Sequence, residues 1–336
     1  MSVDRPAPQP DRDLPDEGSV VAARPDLGGG AATPSFALPP GAASGLPPAP
    51  EALVIGPRTF AWGDRTYVMG ILNVTPDSFS GDGLMTARDP VEAAVAQARR
   101  MVEEGADLLD VGGASSRPGH APLGADEETA RVVPVIRALA AALPGVPVSV
   151  DTTSPGVAAA AVDAGAALLN DVWGVADDLG MARVAAQHGA PIVLMHNRGE
   201  PRYRNLLPEV IADLWRALER AMGAGVAWDR LIVDPGIGFG KTPDHNLALL
   251  AALSELRVLG RPVLLGTSRK STLGKVLDPP ADQRVEATVA TTVLGIAAGA
   301  ADIVRVHDVR ENARAARMAD AVVRGWRPDG WNAGPR

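Results

Sequence analysis

Tyr67-Val68-Met69-Gly70-Ile71-Leu72-Asn73 is an unbroken uncharged run closed by a single carboxamide. A strand with one face in water alternates apolar and polar side chains, whereas a parallel strand covered on both faces reads as a continuous apolar run. Seven further runs share this form: Asp107 to Gly112 (DLLDVG), Pro147 to Asp151 (PVSVD), Ala167 to Asp171 (ALLND), Pro191 to His196 (PIVLMH), Arg230 to Asp234 (RLIVD), Pro262 to Thr267 (PVLLGT) and Asp302 to His307 (DIVRVH). Each is followed by an amphipathic stretch of helical length. Eight such units over roughly 250 residues specify an α/β fold, a (β/α)8 TIM barrel of ordinary size. Barrels of this kind carry their chemistry at the C-terminal ends of the strands. Those ends here are Asn73, Asp151, Asn170, Asp171, His196, Asp234, Arg305 and His307, none of which an apolar core would select.

The chain has 336 residues, 46% of them hydrophobic, which is ample for one large core. From Met1 to Pro50 the composition is rich in Pro, Gly, Ala and Asp, with few large apolar groups to offset the entropy of ordering. The expected organisation is therefore a disordered N-terminal extension over 1–50 and one barrel domain over 51–336. Val54 to Phe60, followed by Gly63-Asp64-Arg65, reads as a short hairpin closing the barrel bottom. A net charge of −8 argues against non-specific nucleic-acid or membrane binding, while local basic clusters can still receive an anion. The chain has no cysteine, which excludes disulfides and thiolate metal sites. No secretory leader and no apolar stretch of about 18 residues is present, so a cytoplasmic location is expected.

Four loops hold the candidate chemistry. Asn73 to Gly83 is polar, Gly-rich and long for a connection after a strand, as lids are. Gly112 to His120 combines glycines, serines and Arg117, a combination suited to an anion. Asp234 to Thr242 looks superficially like a phosphate-gripping loop, but Gly236 has three residues before Gly240 where a Walker A motif needs four, so nucleotide hydrolysis is excluded. Asp234 ends a buried strand and needs a cation or a ligand donor edge to meet it. Gly266 to Thr272 carries Arg269 and Lys270, and the last run places Arg305 and His307 on one face. Barrels frequently bind phosphate after strands seven and eight, so an anionic substrate is expected there. His188 and His245 fall in helical stretches and read as surface residues; His196 reads either as a ligand contact or as a satisfied strand-end histidine.

MGILNVTPDSFS (Met69 to Ser80), DVGGASSRPG (Asp110 to Gly119), SVDT (Ser149 to Thr152), NDVWG (Asn170 to Gly174), DPGIGFGKTPDHN (Asp234 to Asn246), GTSRKS (Gly266 to Ser271) and RVHD (Arg305 to Asp308) together resemble dihydropteroate synthase over Arg65 to Trp326. The resemblance implies a transferase that joins 4-aminobenzoate to 6-hydroxymethyl-7,8-dihydropterin diphosphate, giving 7,8-dihydropteroate and diphosphate in folate synthesis. It implies that Asp151, Asn170, Asp234 and Lys270 hold the pterin, and that Asn73 is the protein ligand of a Mg2+ ion. Ser116, Arg117, Arg305 and His307 would surround the diphosphate, and Phe79, Pro118, Lys270 and Ser271 would border the aminobenzoate. Arg117, Lys270, Arg305 and His307 would be the catalytic groups, in a reaction that needs no nucleophilic side chain. Small-molecule substrates and a homodimer are the partners implied.

Two positions depart from the family pattern: Ala114 stands where Glu is usual and Ser116 where Thr is usual. Serine keeps the hydroxyl, but alanine removes a carboxylate, leaving the loop either more mobile or braced by another group. Two other readings remain open from the residues. A corrinoid-linked methyltransferase that binds methyltetrahydrofolate shares the pterin-holding positions but has no use for the SSRPG, SRKS and RVH clusters. A non-catalytic pterin-binding paralogue is favoured only by Ala114, against Asn73, Lys270, Arg305 and His307.

Overall fold

The computed structural model describes residues 50–75, 84, 89–114, 123–174, 179–278, 280–328 and 330–331. The tail expected over 1–50 lies outside them apart from Pro50. An antiparallel hairpin of β1 (Leu53–Ile55) and β2 (Arg58–Phe60) opens the fold. Eight parallel strands follow: β3 (Tyr67–Asn73), β4 (Leu108–Gly112), β5 (Val148–Asp151), β6 (Leu168–Asp171), β7 (Ile192–Met195), β8 (Leu231–Asp234), β9 (Leu264–Leu265) and β10 (Ile303–Val306). Their order is β8-β7-β6-β5-β4-β3-β10-β9, and a parallel bridge between Val233 and Val263, with Val233 N donating to Pro262 O at 3.0 Å, joins the two ends into a barrel. Around it lie α1 (Pro90–Glu104), α2 (Ala125–Ala142), α3 (Pro155–Asp163), α4 (Gly180–His188), α5 (Leu206–Gly223), α6 (Pro243–Ala251), α7 (Ser271–Leu277), α8 (Val285–Ala297) and α9 (Val309–Val323). The barrel expected from the eight apolar runs is the one observed. Among the described residues, no helix is long and apolar enough to cross a membrane.

The seventh barrel strand is shorter than the Pro262 to Thr267 expected, because β9 pairs only through Leu264 and Leu265. Pro262 has no N–H to donate, and Val263 N is taken by Asp302 Oδ2 at 2.9 Å. Asp302, fully buried, is itself held by both terminal nitrogens of Arg257 at 2.8 and 3.0 Å. At the start of the strand a side chain thus takes the N–H of Val263, while the Pro262 and Val263 carbonyls accept from neighbouring backbone.

Period-2 alternation separates two cores. One packs the outer strand faces against the helices; the other fills the barrel floor with Met69, Leu108, Leu168, Val193, Ile232, Leu264 and Ile303. The hairpin seals that floor. Leu53, Ile55, Phe60 and Trp62 join the same cluster, with the Phe60 and Tyr67 rings 4.6 Å apart. One step nearer the mouth on β4, β6, β8 and β10, the inward positions change from apolar to Asp110, Asn170, Asp234 and Arg305. The floor is apolar and the next layer up is polar, so the site begins immediately above a dry plug.

The last helix is latched to the first barrel strand by Asp320 on α9. Its carboxylate, 1% exposed, accepts from Thr66 N at 2.7 Å and Thr66 Oγ1 at 2.9 Å, and pairs with Arg324 at 3.3 Å. Asp320→Ala strands a buried N–H and a buried guanidinium, and is expected to cost about 3 kcal/mol in urea unfolding. A loss under about 1 kcal/mol would show that the latch contributes little.

Candidate active site

Four of the inward groups meet in one cluster. Arg305, from β10, donates Nε to Asp110 Oδ2 at 2.6 Å and a terminal nitrogen to Asp151 Oδ2 at 2.7 Å. Asn170 Nδ2 donates to the same Asp110 oxygen at 2.9 Å. Strands β4, β5, β6 and β10 are tied across the barrel interior by these three bonds. Burial pushes the Asp151 carboxyl up to about 7; Arg305 opposes the rise and the Asp110 carboxylate adds to it.

Glycines make the space into which these groups project. A Cβ placed on Gly266 would lie 3.8 Å from Asp234 Oδ2, 3.9 Å from Lys270 Nζ and 4.0 Å from the Arg305 Cβ. A Cβ on Gly112 would lie 3.9 Å from Asp151 Oδ2 and 4.0 Å from Asn73 Oδ1. Asn73, Asp151, Asp234, Lys270 and Arg305 therefore line one mouth, as the strand ends predict. Burial raises the Asp234 carboxyl, against the pull of Lys270 and of the Gly236 N–H, which donates to Asp234 Oδ1 at 2.6 Å. Burial lowers Lys270 to about 8, with Asp234 resisting. Lys270 also donates to the Ile237 carbonyl and sits 4.4 Å over the Phe239 ring.

Lys270 follows a strained turn. Arg269 has φ of +56°, a left-handed conformation that non-glycine residues rarely adopt. Its guanidinium grips both Asp308 oxygens, and Arg284 donates to the Arg269 and Lys270 carbonyls at 3.1 and 3.3 Å. The turn sends Lys270 toward Asp234 while Ser268 Oγ meets His307 N at 3.1 Å and His307 Nδ1 at 2.9 Å. Arg269, grouped from sequence with an anion-facing cluster, is engaged by Asp308 instead. Ser271, at the start of α7, is exposed.

Phase along the strand separates the remaining strand-end residues. Asp171 alternates with inward Asn170, and its Oδ1 accepts from Trp173 N at 3.0 Å. His196 alternates with Met195 and faces α5, where Nε2 meets Asp213 Oδ2 at 3.1 Å. Of its two readings, the satisfied histidine is the one observed. His188 is exposed as expected, while His245 is half-buried and completes a capping box with Thr242 at the start of α6. The sequence reading does not single out Asp110, although an acid in phase with inward Leu108 is a usable signal. Phe79, Ser116, Arg117 and Pro118 lie outside the described residues. Ala114 is described, and the loop entry beside it is held from α2, where Arg131 donates to the Gly113 carbonyl at 3.1 Å.

A family model described as pterin binding enzyme matches residues 69–307. The chain is 49% identical over 270 residues to the dihydropteroate synthase of Clostridium beijerinckii, covering 80% of this chain and 99% of that one. Among solved structures it is similar to the Xanthomonas albilineans dihydropteroate synthase with 4-aminobenzoic acid (42% identity, TM-score 0.75, 82% and 98% of the two chains). It is similar also to the Thermus thermophilus dihydropteroate synthase in complex with 6HMPPP (41%, TM-score 0.70, 81% and 99%). With a mouth lined by charged and amide side chains on a closed barrel and matches of this extent, the chain belongs to the dihydropteroate synthase family, transferases of folate biosynthesis.

Proposed function

We propose that the mouth binds 6-hydroxymethyl-7,8-dihydropterin diphosphate with the pterin innermost and joins it to 4-aminobenzoate. The observation that carries this assignment is the convergence of Asp234, Lys270 and Arg305 around Gly266, with Asp110, Asp151 and Asn170 beside them. A buried carboxylate with one oxygen committed to Gly236 N keeps the other for an amidine-like N–H edge, which a pterin supplies. Asn170 and Asp151 offer further polar contacts to the ring. Arg305 and His307, at the end of the last strand, face the diphosphate, with Ser116 and Arg117 completing its surroundings. Phe79, Pro118, Lys270 and Ser271 border the aminobenzoate.

The dihydropterin can stabilise positive charge at its methylene carbon, so the barrier lies in detaching diphosphate. Arg305, Arg117 and His307 offset the charge that develops on the leaving group. Lys270 and Asp234 hold the ring while the neutral arylamine is kept in line with the carbon, which supplies the proximity term. A Mg2+ ion would be held by Asn73, whose Oδ1 borders the space above Gly112, since Mg2+ accepts one or two protein oxygens while keeping waters and substrate phosphates. Bound there, the ion would add positive charge beside the diphosphate.

The decisive assay is diphosphate release by the purified protein from the pterin diphosphate, with and without 4-aminobenzoate. Release that requires the amine supports the assignment; tight pterin binding without release would point to the non-catalytic paralogue. We also propose a homodimer. Leu294 on α8 and Met318 and Val322 on α9 are 61%, 65% and 72% exposed on adjacent helices, a sticky face for a lone barrel. Sedimentation is expected to give a dimer, and Met318→Glu with Val322→Glu a monomer; a monomeric wild type would reject this interface.

A further inference from the structure

The Gly236 to Lys241 loop resembles a phosphate grip yet lacks the spacing of one, and its lysine has no place in the assignment above. We propose that Lys241 is a positioning residue: its ammonium fastens this loop from beneath so that the loop's upper surface holds Lys270 at Asp234. The inference rests on the reading of Lys270 and Asp234 as pterin contacts.

Lys241 Nζ donates to the Gly236 and Phe239 carbonyls, each at 3.0 Å, and to His196 Nδ1 at 2.8 Å, with the His196 carbonyl at 3.4 Å. With Lys241 protonated, Nδ1 must accept from it, which leaves His196 neutral and its proton on Nε2 for Asp213. Asp213 is in turn paired with Arg198 and Arg216. Burial lowers the lysine to about 7 against the pull of Asp234, so a cation there is costly without this set of acceptors. The stem reaches the acceptors because the loop lies directly on the 196–198 segment. Gly236 and Gly240 are left-handed, at φ of +67° and +56°, and a Cβ on either would run into the backbone of His196 or Arg198. Tyr203 Oη donates to the Gly240 carbonyl at 2.8 Å, and Gly238 N donates to Asn246 Oδ1 at 2.8 Å.

The two faces of the loop do different work. The Gly236 and Phe239 carbonyls point down to Lys241, whereas the Ile237 carbonyl and the Phe239 ring receive Lys270, whose Cδ would lie only 2.9 Å from a Cβ on Gly238. Residues that grip one lysine are thus interleaved with residues that grip the other. Gly236 also donates to Asp234. A shift of this loop would disturb the seats of both Lys270 and Asp234, which attract each other through space, although Lys241 need touch no substrate.

The test is a double-mutant cycle read by calorimetric titration of the full chain with the pterin diphosphate. Lys241→Met keeps the stem and removes the donors; it is expected to weaken pterin binding about tenfold. In a Lys270→Ala background the same change is expected to weaken binding no more than about twofold to threefold, since Lys270 is gone and only the Gly236 contact to Asp234 is left for the loop to position. Equal losses in both backgrounds would mean that Lys241 acts generally on the barrel, and would overturn the proposal. If Lys270→Ala by itself leaves affinity unchanged, the pterin assignment fails and takes this inference with it, an outcome distinct from additivity. Should Lys241→Met not fold, Lys241→Gln retains one donor for a loop carbonyl and is expected to give an intermediate, equally non-additive loss.

Discussion

Arg305→Ala is expected to lower turnover at saturating substrates about a hundredfold or more, the scale of losing one charge contact to a transition state, about 3 kcal/mol. The structure adds a second consequence. Arg305 is the cation between Asp110 and Asp151, so alanine leaves two buried carboxylates with only the Asn170 amide and the more distant Lys270 to offset them. Asp151, already raised to about 7 by burial, loses the charge that opposes the rise and climbs further. The variant should therefore be less stable as well as slow, and its thermal midpoint should recover partly as pH falls and Asp151 protonates. Lysine restores the charge but not the fork that spans two carboxylates, so Arg305→Lys should regain stability better than rate. Near-normal diphosphate release by the alanine variant would remove Arg305 from the leaving group.

Asp234→Asn is expected to weaken pterin binding by roughly tenfold to several hundredfold, corresponding to about 1 to 3 kcal/mol for an unpaired buried group and more where charge is involved. The amide oxygen can replace Oδ1 as acceptor for the Gly236 N–H, which turns the NH2 group toward the ligand edge where a second acceptor is needed. Lys270 also loses the carboxylate that holds its pKa up. It should then deprotonate below the value of about 8 that it has beside Asp234, moving the alkaline fall in pterin affinity to lower pH. Titration calorimetry across pH measures both effects. Unchanged affinity at neutral pH would mean that Asp234 is not the pterin anchor.

The barrel is legible because runs such as Tyr67 to Asn73 contain no outward polar position, which only a sheet covered on both faces tolerates. The short β9 is not, since its start is organised by Asp302, a residue 39 positions from Val263. The mouth is half legible for the same kind of reason. Strand alternation places Asn170, Asp234 and Arg305 inside, and the same rule, applied to every strand end, turns Asp171 and His196 outward. Asp110 escapes notice because it sits within an apolar run rather than at its end, and its importance appears only when β10 brings Arg305 across the barrel. Arg269 and Lys270 look equivalent in a sequence; only Asp308 and the left-handed backbone between Ser268 and Lys270 distinguish a brace from a ligand contact.

The sealed floor has a kinetic corollary. Among the described residues Phe60, Trp62 and Tyr67 close one end, so on the proposed assignment whatever lies deepest enters from the mouth first and leaves last. On that assignment, a pterin seated on Asp234 would then be covered by the aminobenzoate that follows it. Amine analogues should dissociate quickly from the empty protein but lodge firmly once a pterin is beneath them, and a dead-end occupant of the outer position should imprison the inner one.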